Sequence, residues 1–215
     1  MQYPDIELEK SLWKKGFKYI VGIDEAGRGP LAGPVSAGAV VINKDSVLNP
    51  LITDSKKMTA KRREEVFEYI KKNCVAWGVC MIDAKVIDRV GIQEAVRIAM
   101  EGALGQVEEK LGKKAGYLIV DGNNVESILG YSMEKIKGGD LKHYSISCAS
   151  ILAKVTRDRY MKEISTKYPE YGFEKHVGYG TKMHMERIYE YGICDIHRRS
   201  LRGYNHIRWV ASSSG

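Results

Sequence analysis

The sequence predicts an α/β domain built on a mixed β-sheet flanked by helices. Three observations support this. Apolar, strand-like runs open the chain and then alternate with stretches of helical periodicity. Two of those runs end directly in acids, at Ile23-Asp24-Glu25 and Val120-Asp121-Gly122. The 215 residues suit one domain that buries roughly 70% of its unfolded surface.

Residues 19–24 read as a buried strand. A glycine-rich turn follows, and residues 35–42 read as a second strand, with Pro34 at its start where a missing donor is tolerated. The short connection predicts a hairpin. Thr59 is a candidate N-cap for a helix over residues 60–70, which puts Val66, Phe67 and Ile70 on one face. Residues 75–82 form the third strand, whose Gly-containing run predicts a central position. Residues 91–111 form a long helix with apolar positions at 92, 95, 96, 99, 103, 104 and 107. Residues 117–120 are the fourth strand and 132–136 a fifth. Residues 147–167 form another long helix, with Ala149, Leu152, Ala153, Tyr160 and Ile164 facing a core, and 182–191 a last one. The expected organisation is one domain over residues 1–200, with a C-terminal helical extension from about 170, then a flexible tail over 201–215.

Composition narrows the function classes. The hydrophobic (44%) and charged (28%) fractions are those of an ordinary globular domain. Cys74, Cys80, Cys148 and Cys194 form no Cys-x-x-Cys pair, which argues against zinc and for reduced thiols. The acidic start is unlike a signal region, and the apolar stretch at 35–42 is too short to span a membrane. A cytoplasmic protein without membrane contact is expected. The net charge is +7 and lopsided: residues 137–215 carry 14 Lys+Arg against 8 Asp+Glu, residues 1–136 carry 20 against 19. A basic C-terminal third beside an acidic site suggests a polyanion gripped by one part and worked on by the other.

The chemistry concentrates in Val21-Gly-Ile-Asp-Glu-Ala-Gly-Arg-Gly-Pro30. Carboxylates at a strand end suit a hard divalent cation such as Mg2+ or Mn2+. The Gly-Arg-Gly turn beside them suits close approach to a phosphate. If the two acid-ended strands are parallel neighbours, their ends coincide at the edge where α/β sheets gather ligands. Asp24, Glu25 and Asp121 would then repel one another unless a cation sits among them. Asp140, after Lys137-Gly138-Gly139, is a further acid in a stretch of chain free to approach closely. No P-loop, dinucleotide fingerprint or Gly-x-Ser-x-Gly elbow competes with this reading.

Six ordered motifs resemble ribonuclease HII of the bacterial type. They are Gly22-Ile-Asp-Glu-Ala-Gly-Arg-Gly-Pro-Leu-Ala-Gly-Pro34, Thr53-Asp-Ser-Lys-Lys57, Val120-Asp-Gly122, Ala149-Ser-Ile-Leu-Ala-Lys-Val-Thr-Arg-Asp158, His176-Val-Gly-Tyr179 and His197-Arg-Arg199. The resemblance implies a ribonuclease H-like fold with a C-terminal helical extension. It implies two-metal-ion hydrolysis of the phosphodiester 5′ to a ribonucleotide, in RNA–DNA hybrids or in DNA duplexes containing ribonucleotides, leaving 3′-hydroxyl and 5′-phosphate ends. A monomer using Mg2+ or Mn2+ is expected.

Carried over by motif, the catalytic and metal-holding carboxylates fall on Asp24, Glu25, Asp121 and Asp140, with Asp158 as competitor for the fourth place. The resemblance assigns Gly27, Arg28 and Gly29 to reading the 2′-hydroxyl and Tyr179 to the sugar at the RNA-to-DNA junction. It sets Lys56, Ser150 and Lys154 near phosphates. His176, His184 and His197 read as structural groups or as supports behind the site, and none as a metal ligand. Three departures from the family pattern are Cys148 in place of alanine, the double glycine before Asp140, and Arg199-Ser-Leu-Arg-Gly203 in place of Ser-Phe. The alternatives are a hybrid-binding protein without catalysis and a ribonuclease HIII-like enzyme needing runs of ribonucleotides.

Overall fold

The first two strands, β1 (Ile20–Ala26) and β2 (Val35–Val41), pair antiparallel from Val21↔Val41 to Ala26↔Ser36, so the expected hairpin forms. The structure is a computed structural model that describes residues 3–53, 55, 58–123, 125–128 and 130–200. Strand β3 (Ala76–Ile82) pairs antiparallel with β2. Strands β4 (Tyr117–Asp121) and β5 (Met133–Ile136) run parallel to β1, giving the sheet order β3-β2-β1-β4-β5. The sheet is therefore mixed.

The sequence reading of β3 as central is corrected: it is an edge strand. Among the described residues it pairs only with β2, and Met81 is 37% exposed. Its glycine serves packing instead. A β-carbon at Gly78 would overlap the Ala103 carbonyl oxygen of the helix lying over it.

Side-chain alternation sends each sheet face to a different helix. Val21 and Ile23 of β1 and Leu118 and Val120 of β4 pack under α4 (Ile92–Leu111), through Val96, Ala99, Ala103 and Val107. The opposite parity of β2 and β4, Val40 and Ile119, meets α5 (Tyr144–Ile164), through Ala149, Leu152 and Ile146. A β-carbon at Gly38 would overlap the Ala149 carbonyl oxygen, so the missing side chain lets α5 lie directly on β2. Helix α2 (Ala60–Asn73) starts at Thr59, whose hydroxyl accepts from Arg62 N as a cap, and buries Val66, Phe67 and Ile70 beside α5.

The helices not read from the sequence include α1 (Glu7–Lys14) and α3 (Ala84–Val90), the latter ended by Gly91 at φ 82° before α4 begins. Helix α5 also starts about one turn earlier than expected. Its first turn is satisfied from a distance, because Glu9 of α1 accepts from Ser145 Oγ (2.7 Å) and Ser145 N (3.3 Å). Beyond α5 come a 3-10 turn (Pro169–Tyr171), α6 (Phe173–His176) and α7 (Lys182–Tyr191). They build a smaller cluster of Tyr171, Phe173 and Ile188 around Met161 and Ala32. The tail expected over 201–215 lies outside the described residues. All four cysteines are free thiols, and no described helix is long and apolar enough to cross a membrane.

Candidate functional site

The parallel pairing of β1 with β4 reaches Ile23↔Val120, which leaves Asp24 and Asp121 one step further along at matching strand ends. Both share the parity of the α5 face. Asp140 arrives from the other side, in the 3-10 turn Gly139–Leu141 that leads into α5. Carboxylate oxygens of Asp24, Asp121 and Asp140 lie within 4.8 Å of one another. Asp24 and Asp140 are each only 5% exposed. The double glycine fits this arrangement: Gly138 turns at φ 67°, and Gly139 N donates to Asp121 Oδ1 at 2.6 Å.

Further hydrogen bonds orient Asp24. Its Oδ1 accepts from Glu25 N at 2.7 Å, and Ser150 of α5 hydrogen-bonds its carboxylate. Ser150 Oγ in turn lies 3.2 Å from Ser55 Oγ. Burial pushes the Asp24 carboxyl well above the ordinary carboxylate range. The charges of Glu25, Asp121 and Asp140 push the same way, and the Ser150 hydrogen bond opposes them in part. Such a site holds either a proton or a cation. Three oxygen donors converging on one point suit a hard divalent ion.

Glu25, next on the strand, alternates to the other face of β1, and its Oε1 lies 3.6 Å from Arg28 Nη1. Asp158 is one full turn along α5 from Lys154 and pairs with its Nζ at 2.7 Å; it is not among the three clustered carboxylates. Lys154, one turn along α5 from Ser150, has its ammonium held by Asp158. Lys56 lies outside the described residues.

The turn that follows β1 faces Tyr179. A β-carbon built on Gly29 would sit 3.9 Å from Tyr179 Cε1, so the ring lies beside this turn at ordinary contact distance. Tyr179 is 43% exposed and available to a ligand. Behind the turn, Gly27 at φ 89° packs so closely that a β-carbon would overlap Arg157 Nε.

Arg157 and Arg198, both fully buried, are two functional groups that sequence reasoning missed. Arg157 donates to Pro34 O (2.8 Å) and Ala32 O (3.1 Å). Arg198 reaches the same loop from the other side. Their partners here are backbone carbonyls, which no sequence motif displays. The arginine-rich Thr156-Arg-Asp-Arg159 and His197-Arg-Arg199 runs were the available signal. The three histidines lie in the C-terminal cluster, away from the carboxylates: the His176 and His184 rings stack at 4.4 Å, and both meet Phe173 edge-on.

Comparison with known proteins gives a concordant picture. A family model described as Ribonuclease HII matches residues 21–204. A ribonuclease HII from Caldicellulosiruptor bescii is 50% identical over 194 residues, covering 90% of this chain and 91% of that protein. One from Caldicellulosiruptor saccharolyticus is 48% identical, covering 90% and 92%. Among solved structures, ribonuclease H2 from Pyrococcus horikoshii superimposes with a TM-score of 0.71 at 27% identity, covering 87% of this chain and 96% of that one.

Proposed function

Because the chain belongs to the ribonuclease HII family and is thereby a metal-dependent endonuclease of the ribonuclease H type, we propose that it cuts the phosphodiester 5′ to a ribonucleotide. The substrates in this reading are RNA–DNA hybrids and DNA duplexes with embedded ribonucleotides, and the products carry 3′-hydroxyl and 5′-phosphate ends. The observation that supports it is the convergence of Asp24, Asp121 and Asp140 within 4.8 Å, beside a glycine turn that faces an accessible tyrosine.

In this reading Asp24, Asp121 and Asp140, joined by Glu25, would hold Mg2+ or Mn2+. When bound, the ions supply Lewis-acid stabilisation of charge at the reacting phosphate and an activated water. The chain's own groups do the rest. Ser150 and Gly139 N hold the Asp24 and Asp121 carboxylates in place through the hydrogen bonds described above. Gly27, Arg28 and Gly29 offer backbone to the 2′-hydroxyl, the handle that separates RNA from DNA. Tyr179 offers a flat surface to the sugar at the junction. Lys154, oriented by Asp158, supplies positive charge to a neighbouring phosphate, with Lys56 a further candidate. Action as a monomer remains part of this reading, and free thiols support a cytoplasmic setting.

The test is a DNA duplex carrying one ribonucleotide, incubated with the enzyme and Mg2+, with the cut mapped at nucleotide resolution. A single cut on the 5′ side is expected. A cut elsewhere, or cleavage only within runs of ribonucleotides, contradicts the proposal.

A further inference from the structure

The segment after α7 folds back onto the loop that follows β1. Ala32 and His197 form an antiparallel bridge, Gly33 N donates to Ile196 O (2.8 Å), and Arg198 N donates to Leu31 O (2.8 Å). Two adjacent side chains then leave this segment in different directions.

Arg198 enters the turn. Its Nε donates to Gly33 O (2.8 Å), Nη1 to Arg28 O (2.9 Å), and Nη2 to Gly27 O (2.6 Å) and Pro34 O (2.9 Å). A guanidinium can serve four carbonyls at once because its donors are fixed in one planar fork, which an ammonium lacks. The consequence is directional. In a planar trans peptide the C=O and N–H point opposite ways. Drawing the Gly27 and Arg28 carbonyls inward therefore turns the Arg28 and Gly29 amides away from Arg198, in the turn whose Gly29 lies beside the Tyr179 ring.

His197 runs toward Tyr179 itself. Cys194 N donates to His197 Nδ1 at 3.0 Å, His197 Nε2 lies 3.1 Å from His184 Nε2, and His184 Nδ1 lies 2.9 Å from Tyr179 O. One assignment of protons satisfies all three contacts. His197 Nδ1 accepts, so its proton is on Nε2 and is donated to His184 Nε2. The His184 proton is then on Nδ1 and is donated to the Tyr179 carbonyl. Burial, reinforced at His197 by the neighbouring histidine, pushes His184 down to about 4 and His197 down to about 3, which keeps both rings neutral. The two halves are also stitched directly, since Gly178 O accepts from Leu31 N at 2.8 Å.

We infer that His197 and Arg198 together are the positioning element for ribose recognition: Arg198 aims the amides of the Gly27–Arg28–Gly29 turn, and His197, through His184, sets Tyr179 opposite them. This rests on the ribose-reading role proposed above for that turn and for Tyr179.

The experiment measures, with metal withheld, the affinity of each protein for a duplex holding one ribonucleotide and for the same duplex made wholly of DNA. Fluorescence anisotropy gives both, and their ratio reports how well the 2′-hydroxyl is read. The wild-type ratio should exceed one. Arg198→Lys should bring it close to one while affinity for the all-DNA duplex stays within about twofold. His184→Phe should do the same, and His184→Asn, which retains a donor near the Nδ1 position, should keep more of the ratio. A wild-type ratio of one overturns the ribose-reading role itself. A wild-type preference that survives both Arg198→Lys and His184→Phe overturns the positioning role. If Arg198→Lys does not fold by circular dichroism, equal ratios for His184→Phe and His184→Asn overturn it alone.

Discussion

Asp24 stands where burial and three neighbouring acids act together to disfavour its charge. A divalent ion relieves that repulsion, and loss of one ligand charge weakens its hold. Asp24→Asn and Asp121→Asn are each expected to lower kcat about a thousandfold, equivalent to about 4 kcal/mol. Duplex affinity should stay within a few-fold. Near-normal turnover by either variant in Mg2+ would remove the residue from the reaction. In the role proposed for it Tyr179 acts through its ring, and Tyr179→Ala should cost roughly 10- to 100-fold in kcat/KM at a lone ribonucleotide, the scale of one aromatic stacking contact. The buried His184–His197 pair has folded-state values below the ordinary 6.5, so the unfolded chain binds more protons as pH falls. Stability from the pair is complete above pH 6.5 and erodes as pH drops through about 4 for His184 and about 3 for His197. Nitrogen NMR should find both rings neutral at pH 6, and titration of either near 6.5 would contradict the proton assignment.

At the scale of elements, α5 connects the site to the core. It follows Asp140, contributes Ser150 to the Asp24 carboxylate, and lies on β1 and β2 where glycine leaves room. Gly38→Ala should therefore push α5 off the sheet and cost about 1–3 kcal/mol, read as a lower melting temperature. An unchanged melting point would mean the contact is soft. The elements also show what the sequence made legible. The acid-ended strands, the hairpin and the Thr59 cap are written in local pattern, and α7 was read at its observed bounds. Edge or centre is not local: β3 owes its place to partners far along the chain. Helix α1 is eight residues long, and helices that short form by tertiary packing rather than propensity. The start of α5 depends on Glu9, 136 positions from the serine it caps. Arg157 and Arg198 escaped assignment for the same reason, since burial and carbonyl partners are properties of the folded chain.

Across the whole molecule, acid is gathered at one sheet edge while excess positive charge belongs to residues 137–215. A duplex held by that charge displaces counterions, so affinity should fall steeply and linearly on a log–log plot against salt. A flat plot would leave the basic third without a role in binding. The carboxylate site is tested most directly by diffraction from crystals soaked in Mn2+, using the anomalous signal of the metal. Density is expected among the carboxylates of Asp24, Asp121 and Asp140. Strong anomalous peaks elsewhere, with none between those three side chains, would contradict the assignment of this cluster as the metal-holding centre of the nuclease.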